Sequence, residues 1–162
     1  MCSMKPNWGL NSPKVKHFMR RLGRDCLPNR QKLLCKGVDC QSNCVVCNDY
    51  LEDNWHIFLS CVDNVNCWRK INLWNKLDNV MQHVADFKEF FVKLWSNFDQ
   101  CQLVSFAMTS WSMWHKRNVQ LWEGKAETSD QVLACAQGVL QAWQQAQEVL
   151  QGVLLLGVKQ TV

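Results

Sequence analysis

Apolar residues recur at three- and four-residue steps along most of the chain and almost nowhere alternate strictly, which predicts a mostly α-helical fold. Val15, Phe18, Met19 and Leu22 form one stripe, with Lys14, Lys16, Arg20, Arg21 and Arg24 on the remaining faces. Ser12 and Pro13 predict its start, because a side-chain cap and a ring without an amide proton both suit a first turn. This basic amphipathic helix is expected to end near Gly23. Leu27-Pro28-Asn29 breaks the pattern, and Asn29 can cap a short second helix with Leu33 and Leu34 inward and Gly37 as its stop.

Farther on, Cys67, Trp68, Ile71, Trp74 and Leu77 predict one helix, and Phe87, Phe90, Phe91, Leu94, Trp95 and Phe98 another. Leu103, Phe106, Ala107, Trp111, Trp114, Asn118 and Leu121 mark a long helix closed by Gly124. Thr128 or Ser129, with Asp130 in the first turn, opens a last helix carrying Val132, Leu133, Ala136, Val139, Leu140 and Trp143. No internal repeat is visible. The expected organisation is a lead over residues 1–12, a zinc-binding domain over 13–75, a helical segment over 76–148 and an apolar tail over 149–162.

The segment between the second and third predicted helices changes the picture. Cys44-x2-Cys47-x8-His56-x4-Cys61 gathers four metal-ligand side chains within 18 residues. Zn²⁺ accepts thiolate and imidazole in a tetrahedron, and three cysteines with one histidine fill that shell. A filled shell leaves no position for an activated water, so the site is expected to be structural rather than catalytic. Two residues between Cys44 and Cys47 allow a tight turn, expected as a small hairpin, and the four between His56 and Cys61 suit a short helix. Cys35, Cys40 and Cys67 also stand near enough in sequence to replace a ligand.

Composition and charge narrow the function further. Apolar content of 48% with nine Trp, seven Phe and six Met supports a packed interior. Ten cysteines would suit a disulfide framework in a small secreted chain, but Met1 to Trp8 has no apolar run of a signal peptide. No stretch reaches the roughly 18 apolar residues of a membrane span. An intracellular protein, nuclear or cytoplasmic and without membrane contact, is expected. Residues 1–40 hold nine Lys or Arg against Asp25 and Asp39, a balance of +7, whereas residues 41–162 balance at −3. That asymmetry suits a phosphate-facing surface beside a neutral scaffold, with Lys14, Lys16, Arg20, Arg21, Arg24, Arg30 and Lys32 as the candidate contacts to RNA or DNA backbone.

Other chemistry is not visible. Tyr50-Leu51-Glu52-Asp53 departs from the Tyr-x-Asp-Asp turn of polymerases and lies inside the ligand loop. No phosphate-binding glycine loop or nucleophile elbow occurs. Cys26, Cys67, Cys101 and Cys135 stand in apolar helical contexts and are expected to be buried and inert, and His17, His83 and His115 to lie on the surface. In Trp111-Ser112-Met113-Trp114-His115-Lys116-Arg117-Asn118 the tryptophans are expected in the core, with Lys116 and Arg117 as exposed ends.

Pro13-Lys14-Val15-Lys16-His17-Phe18-Met19-Arg20-Arg21-Leu22, Cys26-Leu27-Pro28-Asn29-Arg30, Gly37-Val38-Asp39-Cys40 and the four ligands, taken in order, resemble the reverse transcriptase zinc-binding domain of plant non-LTR, LINE-type, retroelements. The resemblance spans about residues 13–75, and Trp111 to Asn118 resembles the helical segment that follows in such polyproteins. It implies structural Zn²⁺ on Cys44, Cys47, His56 and Cys61, and a fragment or degenerate copy lacking polymerase and ribonuclease H domains. The expected function is a non-catalytic, nucleic-acid-associated accessory module. Two alternatives remain: a structural spacer that binds a protein partner through its Trp-rich helices, and a non-functional relic.

Overall fold

The computed structural model describes residues 12–158. Among these residues seven α-helices and one π-helical turn follow one another with no strand between them. They are α1 (Pro13–Gly23), α2 (Arg30–Cys35), the π turn (His56–Ser60), α3 (Val62–Lys70), α4 (Trp74–Met81), α5 (Phe87–Asn97), α6 (Gln100–Glu123) and α7 (Ser129–Val158). The mostly helical class is the one observed. An isolated antiparallel bridge between Asn43 and Leu51 supplies the small hairpin expected at the cysteine turn. The predicted lead up to residue 11, and the end of the predicted tail from residue 159, lie outside the described residues.

The α1 stripe buries as read: Val15, Phe18, Met19 and Leu22 all face inward. Ser12 makes no side-chain cap, so the start rests on Pro13, whose fixed φ suits a first turn. The chain leaves α1 through Asp25 at φ 55, where the Cys26 amide donates back to the Arg21 carbonyl at 2.8 Å. Asn29 caps α2, accepting from the Lys32 amide at 3.0 Å. The expectation that Leu33 and Leu34 turn inward is corrected, since α2 buries none of its residues. Six residues make too short a helix to hold itself by an apolar face, and polar contacts anchor it instead. Buried Asn29 donates to Asn54 at 3.0 Å, Asn54 donates to Asp25 at 2.6 Å, and Asp25 pairs with Lys32 at 2.7 Å.

The helix expected through Cys67 to Leu77 is two. Asn72 takes φ 58 and the Leu73 amide donates back to the Trp68 carbonyl at 3.0 Å, which closes α3 and turns the chain into α4. A left-handed asparagine carries little sequence signal, so the periodicity runs through the break. A capping box of Asp99 and Gln102 opens α6, and Gly124 at φ 66 ends it. Thr128 and Gln131 exchange backbone-to-side-chain bonds at the start of α7. That helix continues across residue 149 without a break.

One apolar core spans α1, the π turn, α3 to α6 and the first turns of α7. Trp68 stacks on Phe106 with centroids 5.3 Å apart, and Phe18, Phe58, Phe87 and Phe90 continue the aromatic seam. Trp111 and Trp114 are partly buried against this core, as expected for the long helix. α6 packs on α7, α1 and the π turn, and so lies along the segment that carries the ligands.

Candidate metal centre

The first pair of ligands sits on a turn closed by its own backbone. The Cys44 amide donates to the Tyr50 carbonyl at 2.7 Å, and the Asn48 amide to the Cys44 carbonyl at 2.9 Å. Asn48 takes φ 60, a conformation asparagine tolerates better than most side chains. The Val46 amide points at the Cys44 sulfur at 3.4 Å. Such N–H contacts favour the thiolate over the thiol.

The second pair sits on the π turn. The Cys61 amide donates to the His56 carbonyl at 2.7 Å, an i to i+5 bond that sets these two residues one above the other. In an ordinary α-helix residues five apart diverge around the axis, so the wider turn is what lets a five-residue step carry two ligands. Widening the turn leaves carbonyls without their usual partners, and side chains from α3 supply them. Asn64 Nδ2 donates to the Ile57 carbonyl and Trp68 Nε1 to the Phe58 carbonyl, both at 2.6 Å. Asp53 caps the entry, accepting from the His56 amide at 2.7 Å.

The two pairs converge. Cys44 Sγ, Cys47 Sγ, Cys61 Sγ and the nearest His56 ring nitrogen lie within 4.8 Å of one another. His56 Nε2 stands 3.1 Å from Cys47 Sγ. Cys44, His56 and Cys61 are buried and Cys47 is half-buried. Cys40 lies outside the cluster, with its sulfur 3.9 Å from the Arg30 carbonyl, and neither Cys35 nor Cys67 enters it. Among the described residues every cysteine is free of disulfide bonds.

Electrostatics show what the cluster lacks on its own. Cys44 is held down to about 5, first by the hydrogen bond from the Cys61 thiol, and further by the Cys47 and Val46 amides and the nearby His56, against the pull of burial. Cys61 is driven up by that same bond to Cys44, by burial and by the negative charge of its neighbours. Cys47 is raised by burial and by the charge on Cys44. The protein alone thus supports one thiolate at this point, and three require a cation among them. Three thiolates and an imidazole at this spacing are the donor set of tetrahedral structural zinc.

The loop is clamped from α6. Glu52, between the ligand pairs and wholly buried, accepts from the Arg30 amide and the Val45 amide, each at 3.0 Å. It also accepts from Arg117 Nη2 at 2.5 Å and Arg117 Nε at 3.3 Å. Gln120 Nε2 donates to the Val45 carbonyl at 2.9 Å. Both backbone groups of Val45, inside the Cys44–Cys47 turn, are therefore held by this clamp.

Arg117 and Lys116 are buried, which corrects the expectation that they are exposed ends. Arg117 further donates to Asn118 and lies 4.9 Å over the Trp114 ring. Its position in a basic run made it look solvated; the buried acid that pairs with it lies 65 residues away. The nucleic-acid candidates divide in a similar way. Arg20 and Arg24 are exposed on α1, while Lys16 and Arg21 are half-buried. Lys14 is exposed and sits 4.4 Å over the Trp111 ring, which stacks on His115. Arg30 instead donates to the Asn43 carbonyl at 2.6 Å, and Lys32 is paired with Asp25. Both serve the ligand loop and its support. His17, His83 and His115 are exposed as expected. Of the cysteines expected to be buried, Cys67 is and Cys135 partly is, but Cys26 and Cys101 are exposed.

A buried Cys3His cluster on a hairpin and a π turn defines a small zinc-binding module. Residues 2–68 match the family model described as zinc-binding in reverse transcriptase, a span that holds all four ligands. The clamp from α6 lies beyond it. No curated protein and no solved structure matches the chain. Among the described residues no helix is long and apolar enough to cross a membrane.

Proposed function

We propose that the chain is a structural zinc-binding, nucleic-acid-associated accessory module of the kind found in reverse transcriptase polyproteins of plant non-LTR retroelements, without catalysis of its own. The observation that carries this reading is the convergence of Cys44, Cys47, His56 and Cys61 on one point, within a segment that matches the reverse transcriptase zinc-binding family. Four protein ligands complete a tetrahedral shell, which suits a structural metal. The polymerase-like tetrapeptide adds no metal chemistry, because the Glu52 carboxylate already accepts from Arg117 and two amides. In so small a module zinc contributes folding energy directly, on the order of 10 kcal/mol in zinc-finger peptides.

Nucleic-acid association rests on α1. Lys16, Arg20 and Arg24 follow at four-residue steps, which sets them along one side of the helix. The Lys14–Trp111–His115 stack adds a cation and aromatic rings at the same helix pair. Such a surface tracks a phosphate backbone with little sequence preference. The intracellular setting proposed for the chain follows from the same reading.

Two measurements test this. Metal analysis by mass spectrometry is expected to find one zinc per chain. Gel shifts at low salt are expected to show RNA or DNA binding that weakens in Arg20→Ala/Arg24→Ala, with a salt slope near −2.7 if three phosphates of a duplex are contacted, at about −0.9 each. A zinc-loaded chain that binds neither nucleic acid would leave the metal reading and remove the nucleic-acid one.

A further inference from the structure

The turn between α3 and α4 encloses a cavity of about 290 Å³, walled by Arg69, Asn72, Trp74 and Asn75. That is close to the size at which small-ligand sites begin, about 300 Å³. Its place follows from the backbone. Asn72 at φ 58 reverses the chain, so Arg69 in the last turn of α3 and Trp74 and Asn75 in the first turn of α4 border the same hollow. Trp74 packs part of its ring against the apolar core and stays half-buried. The Arg69 guanidinium stands 5.7 Å from the centre of that ring.

Hydrogen-bond use sets this turn apart from the rest of the chain. Asn29, Asn54 and Asn64 are each spent on the support of the ligand loop or on the π turn. Among the described residues, the side chains of Arg69, Asn72 and Asn75 have no hydrogen-bond or ion-pair partner, and Arg69 meets only the Trp74 ring. Glycine is the least costly residue at a positive φ, and asparagine at that position keeps a carboxamide on the cavity wall. Lys70, the next residue along α3, pairs with Asp130 and does not line the cavity. No carboxylate lines it either.

The wall thus offers a flat aromatic ring, a flat cation and two carboxamides, each of which both donates and accepts. A nucleobase matches all of them. Its π face suits indole and guanidinium, and its edge carries the mixed donors and acceptors that carboxamides pair with. A phosphate would use Arg69 alone, and an apolar side chain Trp74 alone. The geometry points to a pocket for one unstacked base of a single-stranded nucleic acid, with Trp74 and Arg69 against its face and Asn72 and Asn75 at its edge. The inference rests on the nucleic-acid association proposed above and adds a grip on the base, made by other elements than the α1 cations that face the backbone. In a duplex each base face is covered by its neighbours, so the pocket favours single strands.

Fluorescence anisotropy with the zinc-loaded full chain tests the pocket, comparing labelled oligouridylate and oligothymidylate with abasic strands of the same length and backbone. The chain is expected to bind the base-carrying strands about tenfold more tightly, the worth of one stacked base. Trp74→Ala would also disturb the core, so two other variants decide. Asn72→Gly keeps the turn, because glycine takes a positive φ freely, and is combined with Asn75→Ala. Arg69→Lys keeps the charge and removes the plane. Both are expected to lose most of the tenfold preference with the salt slope unchanged. Arg20→Ala/Arg24→Ala is expected to weaken binding to base-carrying and abasic strands alike and to keep the preference. Equal affinity of the unaltered chain for the two kinds of strand overturns the pocket and leaves nucleic-acid association standing. So does a preference that both pocket variants retain in full. Binding to none of the strands removes the pocket and the nucleic-acid reading together.

Discussion

Glu52 and Arg117 form a buried ion pair, 2.5 Å between Oε1 and Nη2, that ties the loop between the zinc ligands to the middle of α6. The carboxylate and the guanidinium are 0% and 3% exposed, so neither charge is screened by water. Removing one partner of such a pair leaves the other charge stranded, at a cost of about 3–5 kcal/mol. Arg117→Met is expected to lose stability of that order in urea unfolding with zinc saturating. The double variant with Glu52→Gln is expected to recover part of it, since the stranded charge is gone. A loss in the double equal to the sum of the singles would show that the pair is not coupled.

The ligand set predicts which cysteines matter. Cys61→Ser and Cys44→Ser are expected to lose bound zinc together with much of the helical signal, because metal binding and folding are one equilibrium in a module held this way. Cys40→Ser is expected to keep one zinc per chain, since its sulfur faces the Arg30 carbonyl and not the cluster. Metal content by mass spectrometry beside circular dichroism separates the two groups. Zinc lost from Cys40→Ser would place a fourth sulfur in the shell.

The parts legible in the sequence are those whose signals are local. The α1 stripe, the Asn29 cap, the Gly124 stop and the Cys-x2-Cys turn each announce themselves within a few residues, and all stand in the structure. The π turn was not legible, because its stability depends on Asn64 and Trp68 reaching back to two carbonyls. The break between α3 and α4 hides behind a left-handed Asn72 within an unbroken apolar rhythm. Arg117 and Lys116 read as solvated because a basic dipeptide usually is. Their burial is set by elements far away in sequence, with Glu52 as the partner of Arg117.

Gly23 sets packing against helix propensity. A methyl group there would stand 2.6 Å from Phe91 Cε1, on a ring that is itself buried. Alanine is the better helix former by about 1 kcal/mol, so propensity alone predicts that Gly23→Ala stabilises. Overpacking a core typically costs about 1–3 kcal/mol. The clash is with a ring held between helices, so Gly23→Ala is expected to lower stability, and Phe91→Leu in the same chain to lessen the loss. A stabilised single variant in thermal unfolding would mean that the ring yields freely.

The thiols predict how zinc binding responds to pH. In the metal-free protein Cys44 is ionised above about 5, whereas Cys47 and Cys61 lie above the ordinary thiol value of 9.0 and stay protonated at pH 8. Zinc takes all three as thiolates, so binding at pH 8, where imidazoles are ordinarily neutral, is expected to release two protons and not three. Protons compete with the metal, and the sign follows: apparent affinity rises with pH, by about a hundredfold per unit where two protons are displaced. Isothermal titration in buffers of different ionisation enthalpy counts these protons directly. A count of three at pH 8 would show that the hydrogen bond from Cys61 does not hold Cys44 as the resident thiolate. A count of one would show that a second thiolate is already present before the metal arrives.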